Sequence, residues 1–190
     1  MKSRSSWVTV AVRTLGFLLA TNVYTPRDLA AQPSLVIVVR HAEKAAEGGS
    51  DPALSDAGKA RAQALADALA MTTPNAIIVT SLKRTAETAV VVARKTGVVP
   101  TVITISGGAP HIAEVAAAVR KATGVVLVVG HSNTVPAIVT ALGGPKLPDL
   151  CDSNYASMFV LTPAVEGKSA QVVRSHYGTA DGATVGKGGC

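Results

Sequence analysis

Leu35-Val36-Ile37-Val38-Val39-Arg40-His41 is the stretch on which the reading of this chain turns. Five apolar residues, four of them β-branched, run without polar alternation and then stop at a guanidinium and an imidazole. Such a run suits a strand covered on both faces of a sheet, with its polar residues delivered just past its carboxyl end. The same arrangement recurs downstream. Ala76–Thr80 is followed by Ser81 and then by Arg84, and Val125–Val129 runs into Gly130-His131. Thr101–Ile105 is a further β-rich run.

Between and after these strands the spacing changes to that of helices, expected over Asp56–Met71, Lys83–Thr96, His111–Lys121 and Val135–Leu142. In the first, Ala60, Ala64, Leu65, Ala68 and Leu69 share one face, Ser55 or Asp56 is placed to cap the start, and Pro74 follows the end. Alternation of strand and helix implies an α/β fold, a three-layer α/β/α sandwich around a mostly parallel sheet. Ser157–Thr162 and Ala170–His176, joined by Pro163–Lys168, are expected to add a hairpin that gives the sheet an antiparallel edge strand.

Outside residues 33–177, read as the folded domain, lie two segments of different character. Residues 1–32 place Lys2, Arg4 and Arg13 around short apolar stretches and set Ala30-Ala31 before Gln32, the layout of a secretory signal peptide or leader. Export to the periplasm or medium is the expectation, with a cytoplasmic protein the alternative if the leader is not a signal. Residues 178–190 are Gly-rich and expected to be a flexible tail. Cys151 and Cys190 would pair in an oxidising compartment or stay as two thiols. The leader holds +3 of the chain's net +6, and the remaining +3 carries no basic stripe interleaved with aromatics, which argues against a nucleic-acid partner. No apolar run reaches the roughly 20 residues of a strong membrane span, so no stable span is expected once the leader is removed.

In parallel α/β sheets ligands bind beyond the carboxyl ends of the strands. Three strands here deliver Arg40, His41, Arg84 and His131 to that edge. Two guanidinium forks suit the oxygens of a phosphoryl group, and the helix starts after Ser81 and His131 add backbone donors. A neutral imidazole is a nucleophile toward phosphorus, and a second, protonated one stabilises the charge that builds there. His41, beside Arg40, is the better nucleophile candidate. Ser81, Ser132, Asn133 and Glu43 are candidate substrate contacts.

The run Val38-Val39-Arg40-His41-Ala42-Glu43-Lys44 resembles the signature of the histidine phosphatase superfamily, the phosphoglycerate-mutase-like proteins. Leu54-Ser55-Asp56-Ala57-Gly58, Ser81 through Thr88, and Gly130-His131-Ser132-Asn133 resemble the family's later motifs, in its order, over about residues 35–162. The resemblance implies a metal-independent phosphatase with a phosphohistidine at His41, a pocket completed by Arg40, Arg84 and His131, and no cofactor. It also implies a phosphorylated small molecule or phosphoprotein as substrate. Ala42 stands where the family usually has Gly, which points to the small Arg-His-Ala type resembling phosphohistidine phosphatases. Many members carry an acidic proton donor after the third strand. Here the stretch is Ser106-Gly107-Gly108-Ala109-Pro110-His111, with Glu114 the nearest carboxylate.

Two other readings compete. Gly130-His131-Ser132-Asn133-Thr134 nearly spells a nucleophile elbow, so a serine esterase would use Ser132 with Asp149 or Asp152 and His176. Thr134 in place of the final Gly crowds that turn, and Arg40, His41 and Arg84 would be left without a role. A phosphate-binding domain without turnover would keep the pocket and lack the acid. Metal-site spacing is absent: no Pro-Cys-x-x-Cys follows His41-Ala42-Glu43.

Overall fold

The computed structural model describes residues 32–164 and 169–181. The proposed leader up to residue 31, the end of the Gly-rich tail, and the pairing of Cys151 with Cys190 therefore lie outside the described residues. Strand β1 (Pro33–Arg40) is followed by α1 (Asp56–Ala68), β2 (Ala76–Thr80), α2 (Lys83–Thr96), β3 (Thr101–Ile103), α3 (Gly108–Lys121), β4 (Gly124–Gly130) and α4 (Thr134–Ala141), with β5 (Ser157–Thr162) and β6 (Gln171–His176) closing the chain. The sheet runs β3-β2-β4-β1-β5-β6. Its first four strands are parallel, while β5 is antiparallel to β1 and β6 to β5. The hairpin of β5 and β6 thus forms the antiparallel edge.

The lack of alternation in β1 has the expected cause. Val36 and Val38 pack with Val115 and Val119 of α3 and Ile138 of α4, whereas Ile37 and Val39 pack with Leu65 of α1 and Val92 of α2. Successive side chains point to opposite faces, and both faces are covered. Leu65 and Ala66 of α1, Leu69 just past its end, and Ala89 and Val92 of α2 are buried, whereas Ala60 and Ala68, expected on the same face of α1, are exposed and Arg61 is buried instead.

Element ends differ from the sequence reading in ways that geometry explains. β3 stops at Ile103 rather than Ile105, because its only parallel partner, β2, ends at Thr80, which pairs with Ile103. The residues after it are released toward the strand ends. α3 begins three residues early, at Gly108, so Pro110 falls in its first turn, where a missing N–H costs nothing. α2 closes on Gly97 with φ 73°, a left-handed conformation that glycine adopts without strain.

Neighbouring strands β1 and β4 create the crevice. The chain leaves β1 toward α1 on one face and leaves β4 toward α4 on the other. Such a divergence opens a cleft at the carboxyl ends of the two strands. Arg40 and Gly130 are register partners there, and the His41 N–H donates to Gly130 O at 2.9 Å.

Candidate active site

His41 and His131 are each the first residue past a paired strand end, which brings their rings to 5.3 Å between centroids at 61°. Arg40, at 3 % exposure, and His41, at 4 %, are more deeply buried than charged or titratable residues usually are. They share a pocket of about 330 Å³ with Arg84, His131, Ser132 and Asn133.

Each group is held by specific partners. His41 Nδ1 donates to Ala42 O at 2.8 Å, so the neutral ring keeps its lone pair on Nε2. The Ala42 N–H in turn donates to Thr88 Oγ1 at 2.9 Å, and the Thr88 hydroxyl donates to Arg84 O at 2.7 Å. The loop bearing the nucleophile and the helix bearing the second arginine are therefore joined through one hydroxyl. Arg40 Nη1 donates to Cys151 O (2.7 Å) and Asn154 O (3.2 Å), Nη2 meets Asp152 Oδ1 at 3.3 Å, and the guanidinium lies 4.3 Å from the centre of the Tyr155 ring. Its buried Nε has no partner, as is also true of Nε of Arg84. Arg84 has one distant carboxylate, Asp51, at 3.9 Å. Buried guanidinium donors without partners are costly unless an anion supplies the acceptors.

His131 Nε2 lies 3.1 Å from Thr80 Oγ1, which lies 3.0 Å from Thr85 Oγ1. The His131 N–H donates to Thr134 Oγ1 at 2.9 Å. Burial is the main reason that both imidazoles resist protonation. It pushes His41 from its ordinary 6.5 down to about 4, opposed by the Ala42 hydrogen bond and helped by Arg40, Arg84 and Lys44. His131 falls to about 3, through burial first and then through His41, Arg84, His111 and Arg40. The arginines lower both values, as charge alone would require, but desolvation outweighs them.

The remaining candidates fall in different places. Ser132 and Asn133 line the pocket, whereas Ser81 is exposed and does not. Glu43 is turned away from it. The chain forms a bridge from Lys44 to Leu54, and Glu43 takes both Nε (2.9 Å) and Nη2 (2.7 Å) of Arg61. Arg61 also donates to Tyr177 O and Thr179 O, at 3.1 and 3.0 Å. Glu43, expected among the substrate contacts, thus lies outside the lining of this pocket and in an ion pair with Arg61. The Leu54–Gly58 motif has a structural basis as well. Ser55 Oγ accepts from the Gly58 N–H at 3.1 Å, and a Cβ on Gly58 would sit 2.1 Å from Glu43 O. Glu114 is exposed on α3 and lies outside the pocket.

The serine esterase arrangement is not assembled. His176 is exposed at the edge strand β6, three strands from β4 and so about 14 Å across the sheet at strand spacing. Asp152, which does reach the pocket, is paired with Arg40. Among the described residues no three His, Cys, Asp or Glu side chains gather as a metal site, and no helix is long and apolar enough to cross a membrane.

Residues 36–105 match the family model of the histidine phosphatase superfamily (branch 1). That segment is similar to the histidine phosphatase superfamily. No curated protein sequence matches the chain. Solved structures match the fold. The protein histidine phosphatase SixA complexed with tungstate aligns at TM-score 0.60 and 18% identity, over 75% of this chain and 96% of that one. A SixA protein from Agrobacterium tumefaciens aligns at 0.54 and 24%, over 70% and 93%. A mycobacterial glucosyl-3-phosphoglycerate phosphatase aligns at 0.54 and 21%, over 77% and 99%. The histidine phosphatase segment contains Arg40, His41 and Arg84, and His131 joins them from the strand beside β1. Four residues of this pocket or its supports were given no role of their own from the sequence: Thr80, Thr88, His111 and Tyr155.

Proposed function

We propose that the chain is a phosphatase that moves the phosphoryl group of a phosphate monoester or phosphohistidine onto His41 Nε2 and then to water. The coarser class, a metal-independent hydrolase of phosphoester bonds, follows from the family segment and the phosphatase neighbours. One observation carries the finer reading. A neutral imidazole, its Nδ1 bound to Ala42 O, shares a pocket with two guanidinium groups whose Nε atoms have no partner.

The proposed steps follow from charge and proton positions. Arg40 and Arg84 neutralise the incoming phosphoryl oxygens, and the N–H groups at the start of α4 add further donors. The His41 lone pair attacks phosphorus, and Ala42 O steadies the positive ring that forms. The bound phosphoryl charge opposes the burial that keeps His131 neutral, so that His131 protonates only when a substrate is present. Substrate class is narrowed by the neighbours, one named for protein histidine phosphatase activity and another for a phosphorylated sugar acid. Either a phosphorylated small molecule or a phosphoprotein fits this reading. We place the reaction outside the cytoplasm on the leader sequence, to be checked by N-terminal sequencing of protein made in a secreting host.

The test is a panel of phosphorylated metabolites, nucleotides, p-nitrophenyl phosphate and phosphohistidine peptide. Turnover should be unaffected by EDTA, and His41→Ala should lower it by about 10³-fold or more. Loss with EDTA and recovery with zinc would overturn the mechanism. Tight phosphate binding without turnover would make the domain a binding module, and efficient interconversion of 2- and 3-phosphoglycerate would make it a mutase.

A further inference from the structure

His111 is the one histidine of the pocket without a role so far. It is 1 % exposed, and it lines the same cavity as His41, His131, Arg40 and Arg84. It enters from the first turns of α3, just beyond the end of β3, and so from a different strand end than either of the other histidines. Its Nδ1 donates to Thr104 O at 3.3 Å, back across the segment that links β3 to α3. That bond puts the only proton of the neutral ring on Nδ1 and directs Nε2 away from Thr104. Nε2 is buried and has no protein partner. A buried ring nitrogen left unpaired is uncommon, and its cost is removed when a group entering the pocket supplies the partner. Among the described residues no carboxylate takes that place, since Glu114 is exposed and Asp152 is engaged by Arg40.

We propose that His111 is the proton donor to the leaving group and, in the second half-reaction, the base that activates water. The inference rests on His41 being the nucleophile. In the first step His111, entering the step protonated on both ring nitrogens, gives its Nε2 proton to the leaving oxygen as the His41 Nε2–P bond forms and the bond from phosphorus to that oxygen breaks, and is left neutral with its proton on Nδ1. In the second step a water proton returns to His111 Nε2, the water oxygen bonds to phosphorus, and the P–N bond breaks to restore neutral His41. The sum is ester plus water giving alcohol plus phosphate. Throughout, Nδ1–H of His111 stays on Thr104 O, which keeps the ring oriented for both transfers. This enables the domain to use esters whose alkoxide leaves poorly.

The experiment compares p-nitrophenyl phosphate, whose leaving group departs as a stable anion, with phenyl phosphate and a simple alkyl phosphate. His111→Gln should slow hydrolysis of the phosphohistidine alike from either substrate, whereas in single-turnover labelling it should lower His41 phosphorylation by the alkyl phosphate about 10²-fold or more and by p-nitrophenyl phosphate less than about threefold, with His111→Glu recovering part of the loss. Equal losses of phosphorylation rate on both substrates, or none on either, would overturn the proposal. The wild-type enzyme supplies a second measurement that does not depend on the variant folding. Its phosphorylation rate should vary little along the series, and a steep fall from nitrophenyl to alkyl would overturn the proposal. Labelling of His41 from p-nitrophenyl phosphate separates the two ideas: its absence sinks the phosphohistidine reading, and this one with it. Its presence beside a steep leaving-group dependence sinks only the role of His111.

Discussion

The His41 imidazole donates its Nδ1 proton to the carbonyl of its own neighbour, Ala42, at 2.8 Å, and Ala42 is itself fixed by Thr88 at 2.9 Å. The tautomer of the nucleophile is thus set by a hydroxyl one helix away. Thr88→Val keeps the volume and removes both hydrogen bonds of that hydroxyl, leaving the buried Ala42 N–H without an acceptor. The expected result is a kcat about 5–100-fold lower, the range for an unsatisfied buried group of about 1–3 kcal/mol, with Thr88→Ser near wild type. Steady-state kinetics checks this, and nitrogen NMR of His41 should show the Nδ1–H form less populated in the valine variant.

A second hydroxyl supports the other histidine. Thr80 Oγ1 lies between His131 Nε2 and Thr85 Oγ1, and the Thr85 hydroxyl has Leu82 O as an acceptor at 2.8 Å. Thr80 is suited to both charge states of His131. It donates to the neutral ring, or it accepts from the imidazolium by turning its proton to Thr85. Thr80→Val should lower kcat by about tenfold with KM little changed, and should weaken the proton-dependent limb of the pH profile. His131→Gln should flatten the same limb and slow phosphorylation more than it weakens binding. Unchanged profiles in both variants would reduce His131 to a structural residue at the start of α4.

Both histidines are held neutral, and the sign of the pH effect follows. The unfolded chain takes up protons near 6.5, while the empty folded site refuses them until about 4 at His41 and about 3 at His131. Stability contributed by these groups is complete above pH 6.5 and is lost progressively as pH falls toward those values. Melting temperature should therefore drop between pH 6.5 and 4. In kinetics, kcat/KM should stay level down to about pH 5 once the substrate's own phosphate ionisation is allowed for, and then decline as His41 protonates. A decline already centred near 6.5 would mean that His41 is not the desolvated nucleophile described above.

The sheet and the pocket were legible in the chain for one reason. Leu35–Val39 and Val125–Val129 are continuous apolar runs, so the polar residue ending each run announces both a strand end and a place at the binding edge. Residues whose importance depends on a contact from another element gave no such signal. Thr80 reads as the last residue of a strand and Thr88 as the end of a motif whose partner is not visible, because a hydroxyl's partner is set by packing. Glu43 lies two residues from the nucleophile, and only the Lys44–Leu54 bridge reveals that the chain has turned it toward Arg61. His111 stood in a stretch read for a carboxylate. A histidine three residues after Gly107-Gly108, at a strand end, was the available signal.

Arg61 carries a consequence for the order in which the molecule is made. It binds Glu43 near the start of the domain and the carbonyls of Tyr177 and Thr179 near the end of the described chain, while Asp181 accepts from the N–H groups of Tyr155 and Ala156 at 2.8 and 2.9 Å. Tyr155 is the ring that carries the Arg40 guanidinium. A ribosome releasing this chain exposes Arg40 and His41 early, yet the aromatic seat beneath Arg40 is locked only after Asp181 has emerged. Until then a nascent chain holds its nucleophile loop without the latch that orients its first arginine, so competence for phosphoryl transfer is deferred until the segment through Asp181 has left the ribosome.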